Sequence, residues 1–262
     1  MILLIDIFFT YGDLMEHKNV KAIIVKETKY KENDKILTVV TDSLGKINVM
    51  AKGVSKMNSK LSSVSTLALL EIDLKEFGED MYIITGAKKL IDFYDISKDL
   101  ETYSYVSYIF NLANDMFLYD DPFYDLFKLL INTIYLYYQN KKNKEIIKCV
   151  FELRALIISG YAINIDECSA CGNEEISYIN LYEGECYCKD CGNDSMAKKV
   201  SPVVASVIKH ITYADDKKLF SFALDNSYIK ELSIISTNYI KICMEKEYSS
   251  LKYLRDIQKG MK

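Results

Sequence analysis

The chain has 262 residues, half of them apolar, enough to bury a core in one large domain or two modest ones; two is the working number. Its formal charge of -4, taken as a total, gives no indication of a nucleic-acid partner. Seven cysteines, an odd number in so long a chain, argue against a disulfide framework and for a reducing compartment with a metal site.

The opening run MILLIDIFFTYGDLMEHK has no basic residue before its apolar part, carries Asp6 inside it and is too short to span a bilayer, so it reads as neither signal peptide nor membrane anchor. No stretch of about 18 uncharged apolar residues follows, and the expectation is a soluble, cytoplasmic protein. From Val20 to Tyr94 the pattern is that of strands: VKAIIVKETKY, KILTVVTD after the polar turn KENDK, GKINVMAKGV, LALLEIDLKEF and, after GED, MYIITGAKKLIDFY. In the third, Lys46, Asn48, Met50 and Lys52 alternate with Ile47, Val49 and Ala51, which predicts one face for the core and one for something charged. Five short strands fit a small closed barrel such as an OB-fold, or an unrelated five-stranded sheet.

After Asp95 the period changes to about 3.6 residues. Tyr105, Ile109, Leu112 and Met116 line one helical face in residues 101 to 120, and Asp121-Pro122 signals the start of a helix over 122 to 139. Further helices are expected over 144 to 160, from Ser201-Pro202, and over about 227 to 247. The reading is α+β: a β-barrel over 18 to 95, then a helical domain over 96 to 262.

Cys168 and Cys171 in CSACG, then Cys188 and Cys191 in CKDCG, form two C-x2-C knuckles with the spacing of a four-thiolate zinc site. The zinc element is expected over 166 to 195. A thioredoxin-like redox reading needs a helix to continue from each motif, which Gly172 and Gly192 oppose. Four protein ligands close the coordination sphere, so the metal is expected to be structural, and an iron–sulfur cluster would accept the same thiolates. Cys186 falls outside the repeated pattern, with a C-x-C chelate that would make it a substitute ligand as the alternative, and Cys149 and Cys243 read as small apolar packing residues.

Charge is unevenly spread. Residues 18 to 60 hold ten lysines against four acids, and no acid occurs between Asp42 and Glu71. Within that stretch AKGVSKMNSK interleaves lysines with hydroxyl and amide donors, the composition of a loop that meets phosphates. No phosphate-binding G-x4-G-K-[ST] loop, G-x-G-x-x-G, H-E-x-x-H or G-x-S-x-G is present, and His17 and His210 are the only histidines. An enzyme is not expected.

The segment KAIIVKETKYKENDKILTVVTDSLGKINVMAKGVSKMNSKLSS, followed far downstream by CSACG and CKDCG, resembles the bacterial DNA repair and recombination protein RecO family. The matching features are Tyr30-x-Glu32-x-Asp34, Leu37-Thr38, Gly45-Lys46, Ala51-Lys52-Gly53 and Ser59-Lys60-Leu61, in order with the two knuckles. The resemblance covers residues 18 to 195 and implies an N-terminal OB-fold, a helical domain with a zinc element, and no catalytic centre. It also implies binding of single- and double-stranded DNA, annealing of complementary strands and, with RecR, loading of RecA onto strands coated by single-strand-binding protein, whose acidic C-terminal tail is a further partner. By position, Lys52, Lys56 and Lys60 become the DNA contacts, with Lys26 and Lys46 beside them, and Cys168, Cys171, Cys188 and Cys191 the Zn2+ ligands.

Two departures from the family pattern stand out. Ser65-Thr66-Leu67-Ala68 replaces a Gln-Pro-Phe-like stretch after the basic loop, and residues 1 to 17 precede the pattern as an extension, with Met15 as the expected true start of translation. The rival reading is a zinc-bearing transcription or protein-interaction module. Tyr103, Tyr105, Tyr108, Tyr135, Tyr137 and Tyr138 would supply its surface, although at helical spacing they read as core and rim.

Overall fold

A computed structural model of the chain describes residues 17 to 260, apart from 79–80, 120, 122 and 193–195. The expected extension with its start at Met15 therefore lies outside the described residues.

Five strands, β1 (His17–Lys29), β2 (Lys35–Thr41), β3 (Lys46–Ala51), β4 (Ala68–Glu76) and β5 (Tyr82–Asp92), close into a barrel of order β1-β2-β3-β5-β4. β1 pairs with both β2 and β4, and a short parallel contact, Val49 with Tyr82 and Met50 with Ile83, completes the circle. This is the OB-fold. β1 explains its own composition: Ala22 and Ile24 face the barrel interior with Leu37, Val39 and Ile72, whereas Ile23 and Val25 join the core of the helical domain. A strand covered on both faces reads as a continuous apolar run because neither side meets water.

A 3-10 turn (Tyr94–Lys98) leads into α1 (Leu100–Met116), α2 (Tyr124–Gln139) and α3 (Lys144–Ile158). A three-stranded sheet of β6 (Tyr178–Asn180), β7 (Glu185–Tyr187) and β8 (Lys198–Lys199) follows, then α4 (Pro202–Tyr213), α5 (Asn226–Cys243) and α6 (Ser249–Gly260). The cap residues behave as their chemistry requires: Asp99 accepts from Thr102 N–H, Asn143 from Glu145 and Ile146 N–H, and Ser201 from Val204 N–H with Pro202 in the first turn.

The structure corrects three details. α2 starts at Tyr124, with Phe123 at its N-cap and no side-chain cap, so Asp121 does not begin the helix and Pro122 lies outside the described residues. The helix expected to reach residue 247 stops at Cys243, where Glu245 takes a left-handed φ of 49°, and a separate α6 follows. Finally, the face of β3 expected to be charged and open is partly covered: Lys46 and Met50 are buried. For Lys46 the reason is α1 and the segment after it, which close over the β2–β3 turn. Lys46 N–H donates to Leu118 O, and Gly45, at φ +67°, leaves so little room that a Cβ there would stand 2.3 Å from Asp121 O.

Candidate metal centre and nucleic-acid interface

The two knuckles are built by short backbone turns. Gly172 N–H and Cys171 N–H donate to Cys168 O, and Gly192 N–H donates to Cys188 O. The glycines serve different needs. Gly172 has a left-handed φ of +73°, whereas Gly192 is required by space, since a Cβ there would sit 2.1 Å from the Tyr178 ring. These turns bring the Sγ atoms of Cys168, Cys171, Cys188 and Cys191 within 4.8 Å of one another, with Cys171 and Cys188 3.7 Å apart. That separation is close to the edge of a tetrahedron with metal–sulfur bonds of about 2.3 Å.

The electrostatics suit a cation. The backbone N–H of Cys188, helped by those of Ala170 and Cys171, draws the Cys168 thiol down to about 6. Cys191 is pushed up to about 12 by the sulfurs it shares the site with, Cys171 first. Several thiolates so close together need a positive centre to coexist, and the four residues form a cluster able to hold a metal ion. Cys186 is excluded from it: fully buried in the helical core, it has its thiol pushed up to about 12 by burial.

The basic loop belongs to the barrel, where it follows β3. It leaves β3 through Gly53, whose φ of +66° allows the chain to reverse, and Asp34 accepts from Gly53 N–H at 2.7 Å while Asn33 O accepts from Ser55 N–H. Lys56 N–H donates to Gly53 O and Ser59 N–H to Lys56 O, so the loop is turned on itself rather than trailing. Leu61 enters the barrel core, Ser63 Oγ donates to Ala87 O at 2.9 Å, and Leu67 is buried just before β4. Those anchors define the return path through Ser65-Thr66-Leu67-Ala68. The loop is therefore held at both ends while Lys52, Lys56 and Lys60 project into water, none of them ion-paired among the described residues.

The other two lysines do not join that group. Lys26 is exposed but lines a crevice of about 280 Å³ between the barrel and the helical domain, beside Asn111, Asp115 and Lys246. Lys46 is buried, donates from Nζ to Asn114 O at 2.6 Å and lies 4.4 Å from the Tyr119 ring centroid; desolvation lowers its pKa, with Asp115 opposing. It fastens the barrel to α1 and is not available to a phosphate in this arrangement. Two exposed rings were not among the expected DNA contacts: Tyr30, marked in the sequence only as part of the family pattern, with Lys31 Nζ 5.4 Å away, and Phe77, with Lys52 Nζ 5.1 Å away. No local pattern marks the two as a pair, because only barrel closure brings their loops to one end.

Among the described residues, no helix is long and apolar enough to cross a membrane. Comparison with known proteins matches both halves of the chain: the Recombination protein O N terminal family over residues 15–93 and the Recombination protein O C terminal family over residues 97–252. The protein named DNA repair protein RecO of Acetivibrio thermocellus is 29% identical over 248 residues, covering 94% of this chain and 99% of that one. Its namesakes from Clostridium acetobutylicum, 27% identical over 85% of this chain and 92% of the relative, and from Dehalococcoides mccartyi, 27% identical over 92% and 96%, agree. With a five-stranded barrel, a helical domain and a four-cysteine cluster in the matched order, the chain belongs to the Recombination protein O family of DNA repair proteins, which are recombination mediators and not enzymes.

Proposed function

We propose that this chain binds single- and double-stranded DNA through the barrel, anneals complementary strands and, with RecR, helps load RecA onto DNA coated by single-strand-binding protein in the cytoplasm. The observation that carries the reading is the loop of Lys52, Lys56 and Lys60: three solvated cations without ion-pair partners among the described residues, on a backbone anchored at both ends. Phosphates reward such a cluster by counterion release, without regard to sequence. Held by backbone contact alone, two strands approach each other with their bases free to pair, and no nucleotide is consumed. The helical body orients the barrel through Lys46 and the Gly45 turn and offers its surface to RecR and to the acidic tail of single-strand-binding protein. Cys168, Cys171, Cys188 and Cys191 hold Zn2+ as a structural brace for the arm between α3 and α4.

Replacing Lys52, Lys56 and Lys60 together with alanine is expected to reduce the slope of log affinity against log salt by about 2 to 3, from about 0.7 per contact on single strands to 0.9 on duplex. Annealing of complementary oligonucleotides without nucleotide should slow in parallel. Unchanged affinity and slope in the triple variant would remove the loop from the DNA interface. A chain that bound one preferred duplex and did not speed annealing would be the zinc-bearing transcription or protein-interaction module instead.

A further inference from the structure

The barrel end remote from the helical body carries two aromatic rings in water. Tyr30, in the β1–β2 turn, is 51% exposed, and Phe77, where β4 runs out toward β5, is 44% exposed. Strand register brings them to one end: Lys35 pairs with Ala51 beside the basic loop, and Tyr82, which pairs with Val49, also pairs with Glu76 next to Phe77. The same register puts the Gly45 turn, where the helical domain docks, at the opposite end of β2 and β3. Tyr30 N–H donates to Asp34 O, and Asp34 in turn holds Gly53 at the root of the basic loop.

Each ring has a cation beside it, Lys31 for Tyr30 and Lys52 for Phe77. Leu61, Leu74 and Ile84 fill the barrel interior, and the two rings stay outside that core, open to a ligand. Ring and lysine together match one nucleotide of a single strand, with the base on the aromatic face and the phosphate on the ammonium. A duplex offers the phosphates but keeps its base faces stacked inside.

We propose that Tyr30 and Phe77 are base-stacking platforms for single-stranded DNA, with Lys31 and Lys52 holding the adjoining phosphates. The site gives the barrel end a preference for unpaired strands that the basic loop alone does not supply. This rests on the DNA-binding reading above and separates base contact from phosphate contact within it.

The chain has no tryptophan, so Phe77→Trp introduces a single indole as a reporter. A short oligo(dT) strand should quench its emission, and an abasic phosphate chain of the same length and charge should not. In the Tyr30→Leu, Phe77→Leu double variant, oligo(dT) affinity should fall about 10-fold per ring. Its affinity for the abasic chain and for blunt duplex, its salt slope and its unfolding midpoint should stay at wild-type values. Unchanged oligo(dT) affinity in the double variant, or an equal indole response to the abasic chain, overturns the stacking proposal. If that happens while the triple lysine variant still loses salt slope, phosphate binding survives alone. If the unaltered chain binds neither oligo(dT) nor the abasic chain at low salt, the DNA-binding reading falls and takes this one with it.

Discussion

Cys186 and Cys188 are one residue apart, yet their surroundings assign them opposite work. Strand β7 sends Cys186 into the helical core, where burial keeps its thiol protonated, and the chain then leaves the strand so that Cys188 opens a knuckle facing Cys171. Only a thiolate ligates zinc, so Cys186→Ala should keep a full equivalent of metal by atomic absorption, whereas Cys188→Ala should lose it. The opposite pattern would mean that the ligand set is wrong. Lys46 is a second residue whose role is set by what covers it. Lys46→Met leaves Asn114 O without its donor, and a loss of about 1 to 3 kcal/mol in unfolding free energy is expected, with DNA affinity within twofold of wild type. A large loss of affinity at unchanged stability would return Lys46 to the DNA interface. The difference in legibility between these residues is physical. The spacing of a knuckle is a local rule, visible in four consecutive residues, and so is the glycine that follows it. The fate of Lys46, on a strand that alternates correctly, depends on α1 lying across it, and periodicity carries no record of a neighbour from another domain.

At the scale of elements, the metal arm and α6 show why some segments announce themselves and others do not. The arm between α3 and α4 contributes Ile163, Ile165, Ile176, Ile179, Leu181 and Val200 to the helical core, but its strands have only two or three residues each. Strands so short do not hold a shape unaided, and a metal ion held by the four cysteines would supply the missing cross-link. Gly192→Ala is therefore expected to behave as a ligand mutation without touching a ligand. Its methyl group would drive into the Tyr178 ring and displace the second knuckle, so a chelator competition should show metal affinity weakened at least 10-fold. Wild-type affinity would show that the ring moves aside freely. In α6, by contrast, Leu254 is the only fully buried side chain, and the helix is held by Arg255 to Glu145 and by Gln258 to Tyr105. A helix docked by polar contacts has a thin apolar stripe, and the break before it rests on Glu245 in a left-handed turn, with no glycine or proline to mark it. The barrel strands were legible because their interiors alternate or run apolar over five or more residues, which is what a closed sheet demands.

On the scale of the whole molecule, the helical domain is knit by a buried polar network that no single element contains. Glu145 of α3 meets Lys148 of the same helix, Ser233 of α5 and Arg255 of α6, while Tyr105 of α1 donates to Glu145 at 2.6 Å and Lys148 donates to Thr237 of α5 at 3.0 Å; Glu152, fully buried, accepts from Lys148 at 2.8 Å and from Tyr108 and Ser236, each at 2.6 Å. Burial would by itself raise the Glu145 carboxyl, but Lys148 and Arg255 outweigh it, aided by Ser233 and Tyr105, and hold the group at about 2. A glutamate in the unfolded chain titrates near 4.3, so the native state binds this proton less readily than the unfolded state does. The resulting stability is fully present above about pH 5 and is lost as pH falls toward 2, a contribution of roughly 3 kcal/mol at neutral pH. Lys148 and Arg255 have pKa values raised further into the alkaline range, so they add no pH dependence between 3 and 8. Comparing urea unfolding of the wild-type chain with Glu145→Gln at pH 7, 5, 4, 3 and 2 isolates the effect, because acid would displace any metal held by the four cysteines equally in both. The gap between the two curves should be widest at pH 7 and close as pH 2 is approached. A gap that stays constant across the series would show that Glu145 contributes through packing and hydrogen bonds, and that its charge does not bind α3 to α6.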